Sequence, residues 1–341
     1  MLPSLLGKPW MAFTTHYQPG ETMFQHSTQD DLYRSNDAAD ERLIKIERSW
    51  HKRAQIKLDS QRPDIQLDLQ APDFLEALLP FAHDPHYQHY PHALKLLILS
   101  AGWVIYNQKT IAIETEIICP SCIDLLQLGS RLSSASAATI SETLADEAYH
   151  TLFSINMCEL AITQRGMRIK WPELELTRHL SQAQATMSEA DFKIYRLAFS
   201  LVSETFISDY LADLSDAPEI QPVFRHVVAL HKKDELVHKH IFPLFVQQVV
   251  GDFTAQQTTL FTRGIANSIR IFPMREISAW RIILPQLLEV FGDRSLLLPT
   301  QFIETGEADY SAMPEILNSI GIHPASVLPE LQLMPEPATT V

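Results

Sequence analysis

Carboxylates recur inside apolar helical runs of this chain, and no other feature limits its fold as severely. The segments are IAIETEI (111–117), LADEAYHTLF (144–153), LVSETFI (201–207) and LHKKDELVHKH (230–240). A helix with such flanks buries one face. An isolated carboxylate on that face costs several kcal/mol unless something positive meets it. Whatever these segments fold into must therefore bring compensating charge to the same place.

The spacing says which charge. Glu147 and His150 are three residues apart and share a helix face, and Glu235 and His238 repeat that interval. His231 lies four residues before Glu235, one turn back on the same face. Two Glu-x-x-His pairs, with one further glutamate from each of two other helices, can hold two transition ions inside a four-helix bundle. Glu204 supplies one of those glutamates. The first helix offers two candidates, Glu114 and Glu116, which cannot both face one core. Glu114 shares a stripe with Trp103, Asn107, Ile111 and Ile118, whereas Glu116 shares one with Lys109, so Glu114 is preferred. Four glutamates balance two divalent ions, and mixed imidazole and carboxylate donors suit iron, manganese or zinc. An acid precedes each pair, Asp146 and Asp234. Metal-bound imidazoles normally hand their second N–H to a carboxylate, so each aspartate is expected to reach the histidine of the other pair.

The rest of the chain is consistent with an all-α protein. Of 341 residues, 46% are apolar, 20% are charged and only 10 are glycine, which disfavours Gly-rich phosphate loops and long β-meanders. A net charge of −14 argues against nucleic acid. Three cysteines do not make a disulfide framework, and Cys119-Pro-Ser-Cys122 reads as core. The N-terminal apolar run lacks a basic flank, and LKLLILSAGWVIY (94–106) is short for a membrane span. A cytoplasmic protein with no membrane partner is expected.

Along the chain, residues 1–36 read as an irregular arm, 37–333 as one helical domain and 334–341 as a frayed tail. Helices are expected over about 37–57, from Pro91 into the 120s with Pro120 kinking the helix or breaking one hydrogen bond, and over 138–165, 189–214 and 219–249. Shorter ones follow at 253–271, 276–291 and 311–320. Residues 59–72 should be extended and 130–139 a small-residue loop.

Four stretches also resemble a known family: YNQKTIAIE (106–114), ADEAYHT (145–151), SETFIS (203–208) and LHKKDELVH (230–238). Together they are similar to the p-aminobenzoate N-oxygenase (AurF-like) family of ferritin-like non-haem di-iron oxygenases. The resemblance implies a ferritin-like four-helix bundle core with additional N- and C-terminal helices. It implies a metal set of Glu114, Glu147, His150, Glu204, His231, Glu235 and His238, and it favours Glu114 over Glu116. It further implies two iron ions and O2, with manganese as a substitute. The reaction implied is oxidation of an aryl or amino-acid-derived amine, free or carrier-bound, to a hydroxylamine, nitroso or nitro product in a biosynthetic pathway. A homodimer and an external reductase belong to the same expectation, since no flavin or ferredoxin motif is present. His231 is expected to steer the oxidant toward a nitrogen lone pair. Arg270, Arg275, Tyr106 and Phe206 are candidate substrate contacts. Two rival readings stay open: a di-iron enzyme acting at carbon (hydroxylase, desaturase or cleavage enzyme), and an iron-binding bundle without a substrate.

Overall fold

The computed structural model describes residues 41–46, 49–50, 66–128, 132–306 and 309–327, all within a compact unit spanning Asp37–Val341. The expected arm, the expected tail and most of the helix expected over 37–57 lie outside the described residues; 41–46 and 49–50 are helical. No strand occurs among the described residues, and a single bridge pairs Met274 with Thr305.

Four long helices form the core. They are α1 (His92–Ile113), which runs through a π-helical turn (Glu114–Ile118) into α2 (Cys119–Leu126); α3 (Ser134–Gln164); and, after α4 (Glu175–Thr186), α5 (Glu189–Ser215) and α6 (Pro222–Val250). Pairs α1/α3 and α5/α6 pack along their lengths. Outside them, α7 (Ala255–Ile271) lies on α5, α8 (Ile277–Phe291) on α1, and α9 (Met313–Ser319) against α6.

Two separate apolar clusters fix the direction of each helix. One holds Ile113, Ile117, Ile140, Phe199, Val202, Ile241 and Phe245. The other holds Trp103, Tyr106, Met157, Ala161, Leu211, Phe224 and Val228. Read along the chain, α1 and α6 pass from the second cluster to the first, while α3 and α5 pass from the first to the second. Consecutive α3 and α5 are therefore parallel, and the chain between them must return the length of the bundle. The segment containing α4 makes that crossover, which is the ferritin-like connectivity. On α3, α5 and α6 the acids and histidines fall between the two clusters, and Glu114 follows Ile113 at the near edge of the first.

Several local features differ from the sequence expectation, each for a physical reason. Helix α3 starts at Ser134, inside the expected loop, because the Ser133 side chain accepts the Ser136 N–H as an N-cap. Helix α4 was not foreseen; it buries Leu176, Leu180 and Ala183 at helical spacing. Pro120 does not simply kink the long helix. It has no N–H for the Glu116 carbonyl, and the chain takes the i→i+5 pattern over Glu114–Ile118, with Cys119 N–H on the Glu114 carbonyl. Lys109 is a core residue after all. Its ammonium donates to the Phe272 and Met274 carbonyls at 2.9 and 2.8 Å and stands 3.5 Å from Glu276. The α1–α2 stretch is apolar enough and, counted continuously, long enough to cross a membrane, but 78% of its most apolar window is buried in the protein.

Helix α7 holds α5 in place through a close crossing at Gly264. A Cβ there would sit 2.7 Å from Ala198 Cβ and 3.0 Å from the Tyr195 carbonyl. Gly264→Ala should lower unfolding free energy by about 1–3 kcal/mol. Gly251→Ala, where a Cβ meets nothing within 4 Å, should be close to neutral. Denaturant titration of both variants checks the contrast.

Candidate metal centre

Each of the four core helices delivers its acid to the layer between the apolar clusters. Glu114, Glu147, His150, Glu204, His231, Glu235 and His238 are all buried. Their donor atoms form two groups, each with all atoms within 4.8 Å of one another: Glu114, His150, His231 and Glu235; and Glu147, Glu204, Glu235 and His238. Glu235 belongs to both. Its Oε1 lies 3.0 Å from His231 Nε2 and 3.2 Å from His150 Nδ1, and its Oε2 lies 3.5 Å from His238 Nδ1. Glu147 spans the groups in the same way, with Oε2 2.9 Å from His150 Nδ1 and Oε1 2.6 Å from His238 Nδ1. Glu204 approaches His238 Nδ1 at 3.5 Å, and Glu114 approaches His231 Nε2 at 3.8 Å.

The two pair histidines turn Nδ1 toward the carboxylates and Nε2 away from them. His150 Nε2 stands 3.3 Å from Asp234, and His238 Nε2 stands 3.5 Å from Asp146. Each aspartate thus serves the histidine of the opposite helix. Glu116 is only half-buried. It borders a surface groove of about 330 Å³ with Trp171 and Glu173, and partial burial together with Glu173 pushes its carboxyl up. The π turn separates the two acids: Glu114 enters the layer and Glu116 does not.

Protons show what the layer lacks. Burial, reinforced by Glu147, pushes Glu114 well above the carboxylate range; burial and Glu235 do the same to Glu204. Burial works against charge on Glu147 and Glu235 too, but the adjoining imidazoles win, holding Glu147 down at about 2 and Glu235 well below its usual value. His150 and His238 are raised despite burial, because Glu147 leads the carboxylates facing them. His231 is pushed down by burial and by the His150 ring 4.1 Å away, leaving a neutral imidazole. Protons on Glu114, Glu204, His150 and His238 therefore stand where two divalent ions would supply the same positive charge.

The donor set fits such ions. One oxygen of every glutamate in the layer (Glu114 Oε2, Glu147 Oε1, Glu204 Oε2, Glu235 Oε2) has no hydrogen-bond partner. His238 Nδ1 meets Glu147 Oε1 at 2.6 Å without hydrogen-bond alignment, and neither atom has a hydrogen-bond partner. Orphaned buried acceptors are rare in folded proteins, and cations explain all of these together.

Residues 36–290 match the family described as p-aminobenzoate N-oxygenase AurF. The chain belongs to this family. One relative, the 4-aminobenzoate N-oxygenase of Streptomyces thioluteus, is 26% identical over 299 residues, covering 83% of this chain and 87% of that protein. This AurF-family N-oxygenase is thus an oxygenase enzyme with a buried Glu/His site suited to two metal ions.

The remaining sequence candidates fall in different places. Tyr106 is buried beside the layer; its hydroxyl is raised first by burial and Tyr210, then by Glu235 and Glu114. Phe206 packs edge-on against Tyr310, 4.7 Å between ring centres. Arg270 is exposed in the last turn of α7. Arg275 donates to the Ala77 and Leu79 carbonyls at 3.1 and 3.3 Å, tying loop to loop. Cys119 and Cys122 are free thiols, and burial pushes Cys119 up to about 12. The sequence reading gave no role to Trp50, whose indole N–H lies 2.9 Å from both oxygens of Asp146.

Loading two divalent ions should release up to four protons, one each from Glu114, Glu204, His150 and His238. All four groups are raised and keep protons to higher pH than usual, so the apparent metal affinity should rise with pH. Titration in weak buffer with a pH indicator measures this, and absence of proton release would contradict the assignment. Glu114→Gln should cut bound metal toward a single ion per chain while Glu116→Gln retains both, as read by elemental analysis.

Proposed function

We propose that Glu114, Glu147, His150, Glu204, His231, Glu235 and His238 hold two iron ions and that the enzyme oxidises the nitrogen of an aryl amine or an amino-acid-derived amine. One observation carries this reading: His231 brings a third imidazole to one of two donor groups that share Glu235 and are bridged by Glu147. Seven nitrogen and oxygen donors without a thiolate suit iron or manganese. When bound, the metal pair supplies O2 activation and the electrons that O2 must take.

The chain's own residues do the rest. The shared glutamates fix the spacing of the two positions. Asp234 and Asp146 orient the His150 and His238 rings. Leu, Ile, Phe and Trp side chains above and below the layer keep water out. Tyr106 lies on the Glu114/Glu235 side, tilted against Trp103 and Tyr210 at 5.6 and 5.7 Å between ring centres, and an aromatic ring fits such surroundings. The neutral His231 neither needs nor releases a proton when a metal binds. As an extra neutral donor it would enrich one iron and favour attack on a nitrogen lone pair. An external reductase supplies electrons, and the 4-aminobenzoate of the Streptomyces relative's name makes that compound the first substrate to try.

The iron-loaded protein, chemically reduced and exposed to labelled O2 with 4-aminobenzoate and other amines, should place label on nitrogen. Label on carbon, or ferric iron without product, would overturn the proposal. His231→Ala should lower N-oxygenation by about 10-fold or more while iron remains bound; full activity in that variant would remove His231 from its assigned role.

A further inference from the structure

The indole of Trp50 reaches a carboxylate beside the metal layer. It comes from outside the four core helices, from the helical segment that includes residues 41–46 and 49–50. Leu43 of that segment is fully buried in the first apolar cluster, which ties the segment to the bundle. Trp50 is itself buried, at 8% exposure. Its Nε1 lies 2.9 Å from Asp146 Oδ1 and 2.9 Å from Asp146 Oδ2.

Equal distances show that the single N–H is shared by both oxygens, which restrains the direction of the carboxylate more than one bond to one oxygen would. With the carboxylate so held, Oδ2 stands 3.5 Å from His238 Nε2, and the Nδ1 of the same ring faces Glu147, Glu204 and Glu235. Indole, aspartate, imidazole and the Glu147 carboxylate follow one another at 2.9, 3.5 and 2.6 Å, and every member is buried.

We propose that Trp50 is a positioning residue for the metal site: through Asp146 it sets the orientation and basicity of His238, and so tunes the metal position that His238 shares with Glu204. The inference rests on the two-ion reading above. It adds that the segment before the bundle is part of the metal site's support. Groups that orient a ligating histidine commonly change metal affinity by about 10–100-fold when removed. The effect here falls on one of two ions, because His238 belongs to only one donor group.

Trp50→Phe keeps an aromatic ring and removes the N–H. The test is a stepwise Co(II) titration of the full chain, followed by the visible spectrum, with circular dichroism and thermal unfolding as controls on the fold. Wild-type protein is read first, and failure to take up two ions there counts against the proposed function rather than against Trp50. Given two ions, Trp50→Phe should weaken one binding step by about 10–100-fold, shift the Co(II) bands of that step and leave the other step unchanged. Asp146→Asn should affect the same step, and the double variant should be no weaker than Asp146→Asn alone, because Trp50 acts through that carboxylate. Unchanged titration and spectrum in Trp50→Phe would overturn the proposal. So would equal weakening of both steps, or additive losses in the double variant. Should Trp50→Phe fold poorly, site-specific replacement by benzothienylalanine, which has the indole shape without the N–H, gives the same comparison.

Discussion

The fold depends on one electrostatic constraint: four glutamates share a layer between two apolar clusters, and the layer is sustainable only if positive charge enters with them. Two of the glutamates span both donor groups, and each meets an imidazole on either side. Without metal the balance is kept by protons on Glu114, Glu204, His150 and His238. That solution leaves one oxygen of each glutamate without a partner. Two divalent ions satisfy the charge and the orphaned oxygens at once, so binding energy at this layer is also folding energy.

Such a layer demands helices that cannot slide. Residues outside the layer meet the demand. Glu175, at the start of α4, offers its N–H to Glu276 and accepts the Ser278 N–H with its own carboxylate. Glu276 precedes α8, so the two helix starts cap each other. Glu276 also takes a left-handed backbone, φ 53°, which is costly for a residue with a side chain. Its carboxylate fixes that conformation, together with Lys109 reaching across from α1. The crossover segment is thereby anchored to the outer helix α8 and, through Lys109, to the helix that carries Glu114.

What could be read from the sequence follows from what is local to it. Intervals of three and four residues are set by helix geometry, so Glu147/His150 and His231/Glu235/His238 were visible as shared faces, and Asp146 and Asp234 as their neighbours. The long helices were legible by apolar period. Glu114 could be preferred to Glu116, but the reason they diverge, a π turn imposed beside Pro120, depends on how the chain absorbs a missing N–H. Helix α4 carries only three buried positions and was overlooked among polar residues. Lys109 looked unfit for a core because its partners, two carbonyls and Glu276, lie more than 160 positions away. The arginines were chosen for charge and place in sequence; Arg275 instead serves carbonyls of residues 77 and 79.

The third histidine makes the two metal positions unequal in a way that charge counting misses. Glu235 belongs to both groups and Glu147 reaches an imidazole on each side, while Glu114 and Glu204 stand on one side apiece. Formal charge is therefore even. The difference lies in neutral donors: His150 and His231 stand on the Glu114 side, whereas His238 stands alone on the Glu204 side. An added neutral ligand uses up coordination space without altering charge. The Glu204 side, with one imidazole in place of two, would give an ion held there less neutral electron density. It is also the side supported through Asp146 by Trp50. Two metal positions would thus differ in their neutral donors, a division that a symmetric pair of Glu-x-x-His motifs alone would not create.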